Sequence, residues 1–236
     1  MRVIPVLDLL GGCVVRGIAG RRSEYRPVRS ALCRDAQPAT VARALVEHFG
    51  FNQAYVADLD AIAGREPDRA SYDAIAACGL QLWIDAGARA ASTITASRMV
   101  VGSESIDGPE GVAELLAAVG PERFVFSLDL HDGGWFGTAA VWQGISPLDA
   151  ACLAVEAGVE RLMVLDLVRV GVAYGVGTET LCREIRELSP HIELIAGGGV
   201  RGPADLESLA AAGCDAALVA SALHDGRLTR AEIEGV

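Results

Sequence analysis

The sequence of 236 residues contains no lysine, since all 20 of its basic residues are arginine. Enzymes that form a Schiff base between a protein amine and a carbonyl substrate use the lysine side chain. The absence of lysine therefore excludes the lysine-dependent aldolases and synthases, which are frequent among barrel enzymes.

Long apolar runs are also absent, and positive charge is scarce. No stretch approaches the roughly 18 consecutive apolar residues of a membrane-spanning helix, and the first residues form a strand pattern rather than an export signal. The net charge of −11 disfavours binding to nucleic acid or anionic membranes, which are held mainly through basic side chains. We expect a cytoplasmic protein with no nucleic-acid or membrane partner, either a monomer or a weak homo-oligomer.

Cysteine and histidine are few and scattered. The six cysteines form no close pair, and no spacing of the four histidines suggests a metal centre. We therefore expect no disulfide, no structural zinc and no bound metal. Hydrophobic residues make up 51% of the chain, which is enough for a packed core.

Short apolar segments alternate with helix-like segments along the whole chain. Eight strands are predicted near residues 2–8, 53–58, 81–85, 98–101, 123–129, 160–166, 191–196 and 215–220. Helical periodicity lies between them at 38–49, 68–78, 109–119, 147–157, 179–188 and 203–212. Such alternation predicts a parallel sheet, and eight units favour an α/β fold of the (β/α)₈ TIM-barrel type, with residues 1–236 forming one domain. A doubly wound open sheet is the alternative.

The sequence also repeats itself at its midpoint. An apolar strand ends in aspartate at Asp8 and again at Asp129, and three further pairs of segments match in order at a nearly constant offset. In these pairs Asp58 corresponds to Asp166, Gly87 to Gly199, and Ser103 to Ser221. The repeat predicts two similar half-barrels of four βα units each.

The repeated aspartates are candidate catalytic residues. Carboxylates at the carboxyl ends of barrel strands lie where these folds carry out chemistry. Asp8 and Asp129 would act as an acid and a base if their surroundings keep one protonated and the other ionised. Asp58, Asp60 and Asp166 are more ambiguous, and either orient loops or contact substrate hydroxyls.

A glycine-rich turn after strand 7 and a turn of small residues after strand 8 indicate a phosphate site. Gly198 and Gly199 precede a helix, and Ala220 and Ser221 stand in the equivalent place after the last strand. Backbone N–H groups there would bind an anion without side-chain obstruction. A weaker second phosphate site is predicted in the first half at Gly87, Gly102 and Ser103. The carboxylate of Asp85 disfavours it.

Arginines are concentrated in the long segment after strand 1, residues 9–36. It contains Tyr25 and the following arginines: Arg16, Arg21, Arg22, Arg26, Arg29 and Arg34. We interpret this segment as a mobile flap that pairs with an anionic ligand, the alternative being a solvated loop. His131 either contacts the ligand or lies on the surface.

Several of these motifs resemble one known family. Residues 4–8 with 12–16, residues 55–61 and residues 127–129 are similar to the first, second and fifth strands of the phosphoribosyl isomerase of histidine biosynthesis (ProFAR isomerase). They also resemble its sister barrel, the cyclase subunit of imidazole glycerol phosphate synthase. Trp142-Gln143 resembles a segment that covers substrate in the isomerase, and residues 198–200 with 220–223 resemble the principal phosphate site of the family.

The resemblance implies an Amadori rearrangement that needs no cofactor. Asp129 would be the general acid that opens the ribose ring, and Asp8 the general base that removes the proton from C2. The substrate would be a phosphorylated small molecule. Its predicted binding residues are Arg16, Gly87, Gly102, Ser103, Trp142, Asp166, Gly198, Gly199, Ala220 and Ser221.

The chain departs from the family pattern at three places, one of which is Ala220 in place of the glycine after strand 8. Valines, among them Val170 and Val172, replace polar residues after strand 6, and Asp85-Ala86-Gly87 replaces a triple glycine after strand 3. These changes predict a divergent member with an altered substrate. The alternatives are a cyclase or lyase acting on another phosphoribosyl compound, and a non-catalytic barrel that binds a phosphorylated metabolite.

Overall fold

The predicted strands close into a barrel. The computed structural model describes residues 1–94, 98–136, 142, 144–172 and 174–236. Within these residues, eight parallel strands pair in chain order, and the last pairs with the first. The (β/α)₈ prediction is confirmed, and the open-sheet alternative is wrong because the sheet leaves no edge between its first and last barrel strands.

Each barrel strand lies where the apolar pattern predicts it, with ends that differ by no more than two residues. The strands are β1 (Arg2–Leu10), β2 (Gln53–Asp58), β3 (Gln81–Asp85), β4 (Arg98–Gly102), β5 (Phe124–His131), β6 (Arg161–Asp166), β7 (Glu193–Gly197) and β8 (Ala216–Val219). Their apolar composition follows from burial of both faces of the sheet.

The helices surround this barrel. They are α1 (Pro38–Phe49), α2 (Leu59–Ile62), α3 (Arg69–Ala76), α4 (Gly108–Val119), α5 (Pro147–Glu156), α6 (Glu179–Leu188), α7 (Pro203–Ala211), α8 (Ser221–His224) and α9 (Arg230–Glu234). Between β3 and β4, the described residues contain only a 3₁₀ turn at Ala88–Ala90. The third βα unit is thus shorter than the others, and it bounds one end of the site described below.

The two halves share a strand register. In the first half, Leu9 of β1 pairs with Asp58 of β2, and in the second half Leu130 of β5 pairs with Asp166 of β6. Each pairing lies one residue beyond Asp8 or Asp129, so the two candidate aspartates occupy equivalent positions at the carboxyl-terminal end of the barrel. The barrel interior below them is packed with buried side chains: Ile4, Val100, Val125, Met163, Ile195 and Leu218.

The arginine-rich segment after β1 is more regular than its sequence predicts. Residues Cys13–Arg16 form a strand antiparallel to β1, with Val15 opposite Asp8, and Arg26–Pro27 pair with them in turn. The alternative of a solvated loop does not fit these paired residues, and closure of the segment as a flap stays a prediction. A hairpin forms because Gly11 and Gly12 both adopt positive φ angles, which permit a tight turn.

Candidate active site

A pocket opens at the carboxyl-terminal end of the barrel, beneath the hairpin that follows β1. Seven of the predicted site residues line it: Asp8, Arg16, Asp129, Gly198, Gly199, Ala220 and Ser221. The location is the one at which TIM barrels place their active sites. The glycine and serine positions of the β7–β8 loops and both candidate aspartates therefore face one cavity.

Asp8 lies in the wall of the pocket where the hairpin crosses β1. Loss of water around its carboxyl raises its pKa to about 7, and the positive charge of Arg22 opposes this shift. Gly17 leaves room for this carboxyl, since a Cβ there would lie 3.1 Å from Asp8 Oδ2 and 2.8 Å from Val170 Cγ1. Near neutral pH, Asp8 is thus poised to exchange a proton.

Asp129 is held more rigidly and is only 6% exposed. Its Oδ1 accepts a hydrogen bond from Ser127 Oγ at 2.8 Å, and its backbone N–H donates to Ser103 Oγ at 3.0 Å. Gly102 is required beside it, because a Cβ at this position would overlap Asp129 Oδ2. Burial, followed by the nearby charges of Glu104 and Asp85, raises the pKa of Asp129 well above its usual range.

One end of the pocket, which we call the β7–β8 end, is formed by Gly198, Gly199, Ala220 and Ser221. Gly199 has a φ of +88°, and a Cβ there would overlap the carbonyl oxygen of Gly175. Among the described residues, the N–H groups of Gly199 and Ser221 donate to no other group. This end therefore offers unpaired donors to a ligand.

Two arginines and a histidine complete the β7–β8 end. Arg16 donates to both carboxylate oxygens of Asp225, at 2.7 and 2.9 Å, and Arg227 donates to the same residue at 3.0 Å. His224 Nδ1 lies 3.0 Å from Ser30 Oγ. Burial lowers the pKa of His224 to about 4, so this ring is neutral at neutral pH. Two positively charged arginines face one negatively charged aspartate, so this end carries a net positive charge.

The opposite end, which we call the β3–β4 end, is lined by Asp85 and Glu104 together with Arg22. Asp85 Oδ1 accepts the Gly87 N–H at 2.9 Å, and Glu104 accepts from Arg22 at 2.8 Å. Burial raises the pKa of Asp85 to about 7. Tyr55 is also buried, and its OH donates to Asp85 Oδ2 at 3.5 Å.

Five predicted binding residues lie outside the pocket wall: Gly87, Gly102, Ser103, Trp142 and Asp166. Gly102 and Ser103 contact Asp129, Gly102 by leaving room for its carboxyl and Ser103 by accepting its backbone N–H. Asp166 holds loops in place, since its carboxylate accepts from the N–H groups of Asp132, Gly133 and Val168.

Trp142 is buried rather than placed over the cavity. Its ring stacks on Trp135 with centroids 4.9 Å apart, and its Nε1–H donates to the Ser103 carbonyl at 3.1 Å. The position does not match the expectation that Trp142 contacts substrate. The neighbouring Gln143 lies outside the described residues.

The structure also shows the contacts of Asp58, Asp60 and His131, whose roles the sequence left open. Asp58 is 1% exposed and accepts from the N–H groups of Ala61 and Asp68, so it orients a loop. Asp60 accepts from the Gly11 N–H at 2.6 Å and ties the hairpin turn to α2. His131 is exposed, and its ring stacks on Phe136, which lines the pocket.

Sequence reasoning missed several residues of the pocket as site residues. They are Tyr55, Asp85, Glu104, His224 and Arg227, and Arg22 was noted only as one of the flap arginines. The internal repeat contains a usable signal for two of them. Asp85 stands where the second half has Gly197, and Glu104 follows Ser103 where Ala222 follows Ser221. Acidic residues at two matched positions of one half mark a chemical difference between the pocket ends.

Two further features concern the residues that the structure describes. None of their helices is long and apolar enough to cross a membrane. Within the same residues, no group of three or more histidine, cysteine, aspartate or glutamate side chains is arranged to hold a metal ion.

Comparison with known proteins identifies relatives over nearly the whole chain. Residues 2–229 match the model of a family described as histidine biosynthesis protein. A protein from Thermus thermophilus is 34% identical, covering 97% of this chain and 96% of the relative. One from Deinococcus radiodurans is 35% identical, covering 96% and 95%. Both are named as the isomerase of an imidazole-4-carboxamide that carries two phosphoribosyl groups.

The similarity also reaches a relative without an assigned activity. An uncharacterised protein from Methanocaldococcus jannaschii is 29% identical, covering 99% of this chain and 97% of the relative. Similarity at this level therefore extends beyond the relatives that are named as isomerases.

Proposed function

This chain belongs to the histidine biosynthesis protein family, and on that premise we propose that it is an aldose–ketose isomerase acting on an N-substituted phosphoribosylamine. The reaction is an Amadori rearrangement of the ProFAR isomerase type. The observation that carries the proposal is the placement of Asp8 and Asp129, two carboxyls with raised pKa values, in the wall of one pocket.

Asp129 is the general acid. Its raised pKa keeps a proton on the carboxyl at neutral pH, and this proton passes to the ribose ring oxygen as the C1–O bond breaks. The nitrogen lone pair forms the new C1–N double bond, so the product of this step is an open-chain iminium. Hydrogen bonding to Ser127 fixes the orientation of the carboxyl during the transfer.

Asp8 is the general base. It removes the proton from C2 of the iminium, which yields an enolamine that tautomerises to the aminoketose. The pKa of about 7 suits this role, because a base is most effective when its pKa lies near the working pH. Arg22 supports the ionised form through its positive charge.

The β7–β8 end binds the phosphate of the phosphoribosyl group. The unpaired N–H groups of Gly199 and Ser221 and the nearby Arg16 and Arg227 supply donors of the required charge. Val170 and Leu167 also line the pocket and favour an apolar contact with the substrate.

The test is turnover of an aminoaldose phosphate by the purified protein, beside Asp8→Asn and Asp129→Asn. Each substitution is expected to lower kcat by about 10²–10⁴, the usual contribution of one acid or base. Asp73→Asn on the exposed face of α3 removes the same charge away from the pocket and should change kcat little.

Two results would count against the proposal. Full activity of both variants would reject the two-aspartate mechanism. Absence of turnover by the unmodified protein, combined with retained phosphate binding, would favour the non-catalytic binding barrel instead.

A further inference from the structure

The backbone N–H groups at the β3–β4 end of the pocket are already hydrogen-bonded to oxygen atoms of the protein. The Gly87 N–H donates to Asp85 Oδ1, and the Ala88 N–H donates to Ser105 Oγ at 3.3 Å. The Glu104 N–H donates to the carboxyl of Asp129. In the repeat, Gly87 corresponds to Gly199, whose N–H is unpaired at the other end. The N–H donors that would bind a phosphate here are therefore already bonded to protein oxygens.

Charge at this end also opposes a second phosphate. Asp85 and Glu104 both line the pocket, and Asp129 lies close enough for its pKa to be raised by both of them. Asp129 keeps its proton at neutral pH, so the like charge that a phosphate would meet here is that of Glu104 and of ionised Asp85. The site is partly dehydrated, and such repulsion is strong there.

Arg22 does not make the β3–β4 end favourable for a phosphate. Its guanidinium is 2.8 Å from Glu104, so the two charges neutralise each other. A phosphate that took Arg22 from Glu104 would leave this carboxylate unpaired beside Asp85 and Asp129, and an unpaired partly buried charge is costly.

We infer that the substrate of this enzyme carries a single phosphate, held at the β7–β8 end, and that its opposite end presents a hydrogen-bond donor such as a hydroxyl or amine to Asp85. This inference rests on the proposed isomerase function and narrows its substrate class. Asp85 is then a specificity-determining residue, since it accepts a donor and rejects the second phosphate of the substrate for which the relatives are named.

The first experiment counts phosphate sites without catalysis. Inorganic phosphate is titrated into the purified protein, with binding followed by calorimetry and by ³¹P NMR. We expect one equivalent per chain, bound about 10- to 100-fold more weakly in Gly199→Ala and with unchanged affinity in Asp73→Asn. The double variant Asp85→Asn/Glu104→Gln removes both charges with little change of shape and should bind a second equivalent.

Each result of the titration decides a different point. Two equivalents in the unmodified protein would overturn the inference. One equivalent that binds Gly199→Ala as tightly as the unmodified protein would place phosphate elsewhere and overturn it too. No binding at all would overturn the phosphate end of the proposed function, and the inference with it.

The second experiment compares two substrates that differ by one group. An N-substituted 5-phosphoribosylamine with a hydroxylated substituent is assayed beside the same compound phosphorylated on that hydroxyl. The unmodified protein should show a kcat/KM at least about tenfold higher for the singly phosphorylated compound. Asp85→Asn/Glu104→Gln should reduce or reverse this ratio, whereas Asp73→Asn should not.

Failure of the inference and failure of the proposed function give different results. Preferred turnover of the doubly phosphorylated compound would overturn the inference and leave the isomerase function in place. Turnover of neither compound would contradict the isomerase function, and the phosphate count would then decide the number of anion sites alone.

Discussion

The two ends of the pocket occupy equivalent places in the repeated barrel, yet they present opposite chemistry. Gly199 and Gly87 both follow a strand and both have positive φ angles, of 88° and 75°. The N–H of Gly199 is unpaired and lies near two arginines, whereas the N–H of Gly87 is bonded to the buried carboxyl of Asp85. The shared backbone geometry therefore leaves an unpaired N–H donor at one end only.

The difference teaches that the repeat determines where donors lie, and single side chains determine whether they remain available. One carboxylate in place of a glycine is enough to occupy a turn amide and to change the local charge. Substitutions at matched positions of the two ends therefore test the comparison directly.

The largest effect is expected where the two ends differ in available space. Gly102 and Ala220 are matched in the repeat, but a Cβ at residue 102 would overlap Asp129 Oδ2. Gly102→Ala should therefore displace the acid and lower kcat by about 10²–10⁴. Ala220→Gly is the matched control and should change kcat only slightly. Equal losses in steady-state assays of both variants would contradict this assignment.

A smaller effect is expected from the paired turn glycines. In Gly199→Ala the new Cβ would overlap the Gly175 carbonyl oxygen and lie 3.0 Å from that of Arg169, so the loop must shift. Loss of a hydrogen bond to a charged group costs about 1.5–3 kcal/mol. The affinity for inorganic phosphate, measured by calorimetry, should fall by about 10- to 100-fold.

Gly87→Ala is the matched control for this change. Its Cβ would lie 3.4 Å from Ile62 Cα, with room to adjust, and its main cost is a positive φ angle of about 1–2 kcal/mol in stability. Phosphate affinity should stay within about twofold, because the two ends are separate sites. Equal weakening by both substitutions would show that the ends do not differ as described.

The buried carboxyl of Asp85 should also make the free energy of unfolding depend on pH. Its pKa is raised from 3.8 to about 7 by burial, so its contribution to the free energy of unfolding is complete below about pH 4 and is lost as the pH rises through 7. Asp85→Asn removes the cost of ionising this buried group. Urea unfolding should show a gain of about 1–3 kcal/mol at pH 8 and little gain at pH 4. A gain of equal size at both pH values would mean that charge is not its cause.

Much of this architecture could be predicted because its causes are local in the sequence. Continuous apolar strands determined the barrel, and the repeat located Asp8, Asp129 and the Gly199 turn. These features required no knowledge of distant contacts. The pocket wall itself is different, since Glu104 meets Arg22 only after the hairpin folds across the barrel.

The errors have the same physical origin. The resemblance of Trp142 to a substrate-covering segment of the isomerase implies a substrate contact, but packing against Trp135 buries this ring. The segment after β1 looked structureless because its pairing with β1 depends on one glycine turn. Side-chain packing and strand pairing decided both outcomes, and neither composition nor periodicity reports them.

The smallest expected effect concerns the charge balance at the β7–β8 end. Asp225 accepts from Arg16 and Arg227, and in Asp225→Asn both guanidinium groups would be released toward the pocket. Asp225 and Arg16 are partly exposed, and pairs of this kind are worth about 0–1 kcal/mol, so phosphate affinity should rise by no more than about fivefold. Glu234→Gln breaks an exposed pair with Arg230 away from the pocket and is the control. A fall in affinity, measured by the same phosphate titration, would show that Asp225 positions these arginines for the ligand, in which case the difference between the two ends depends on geometry as well as charge.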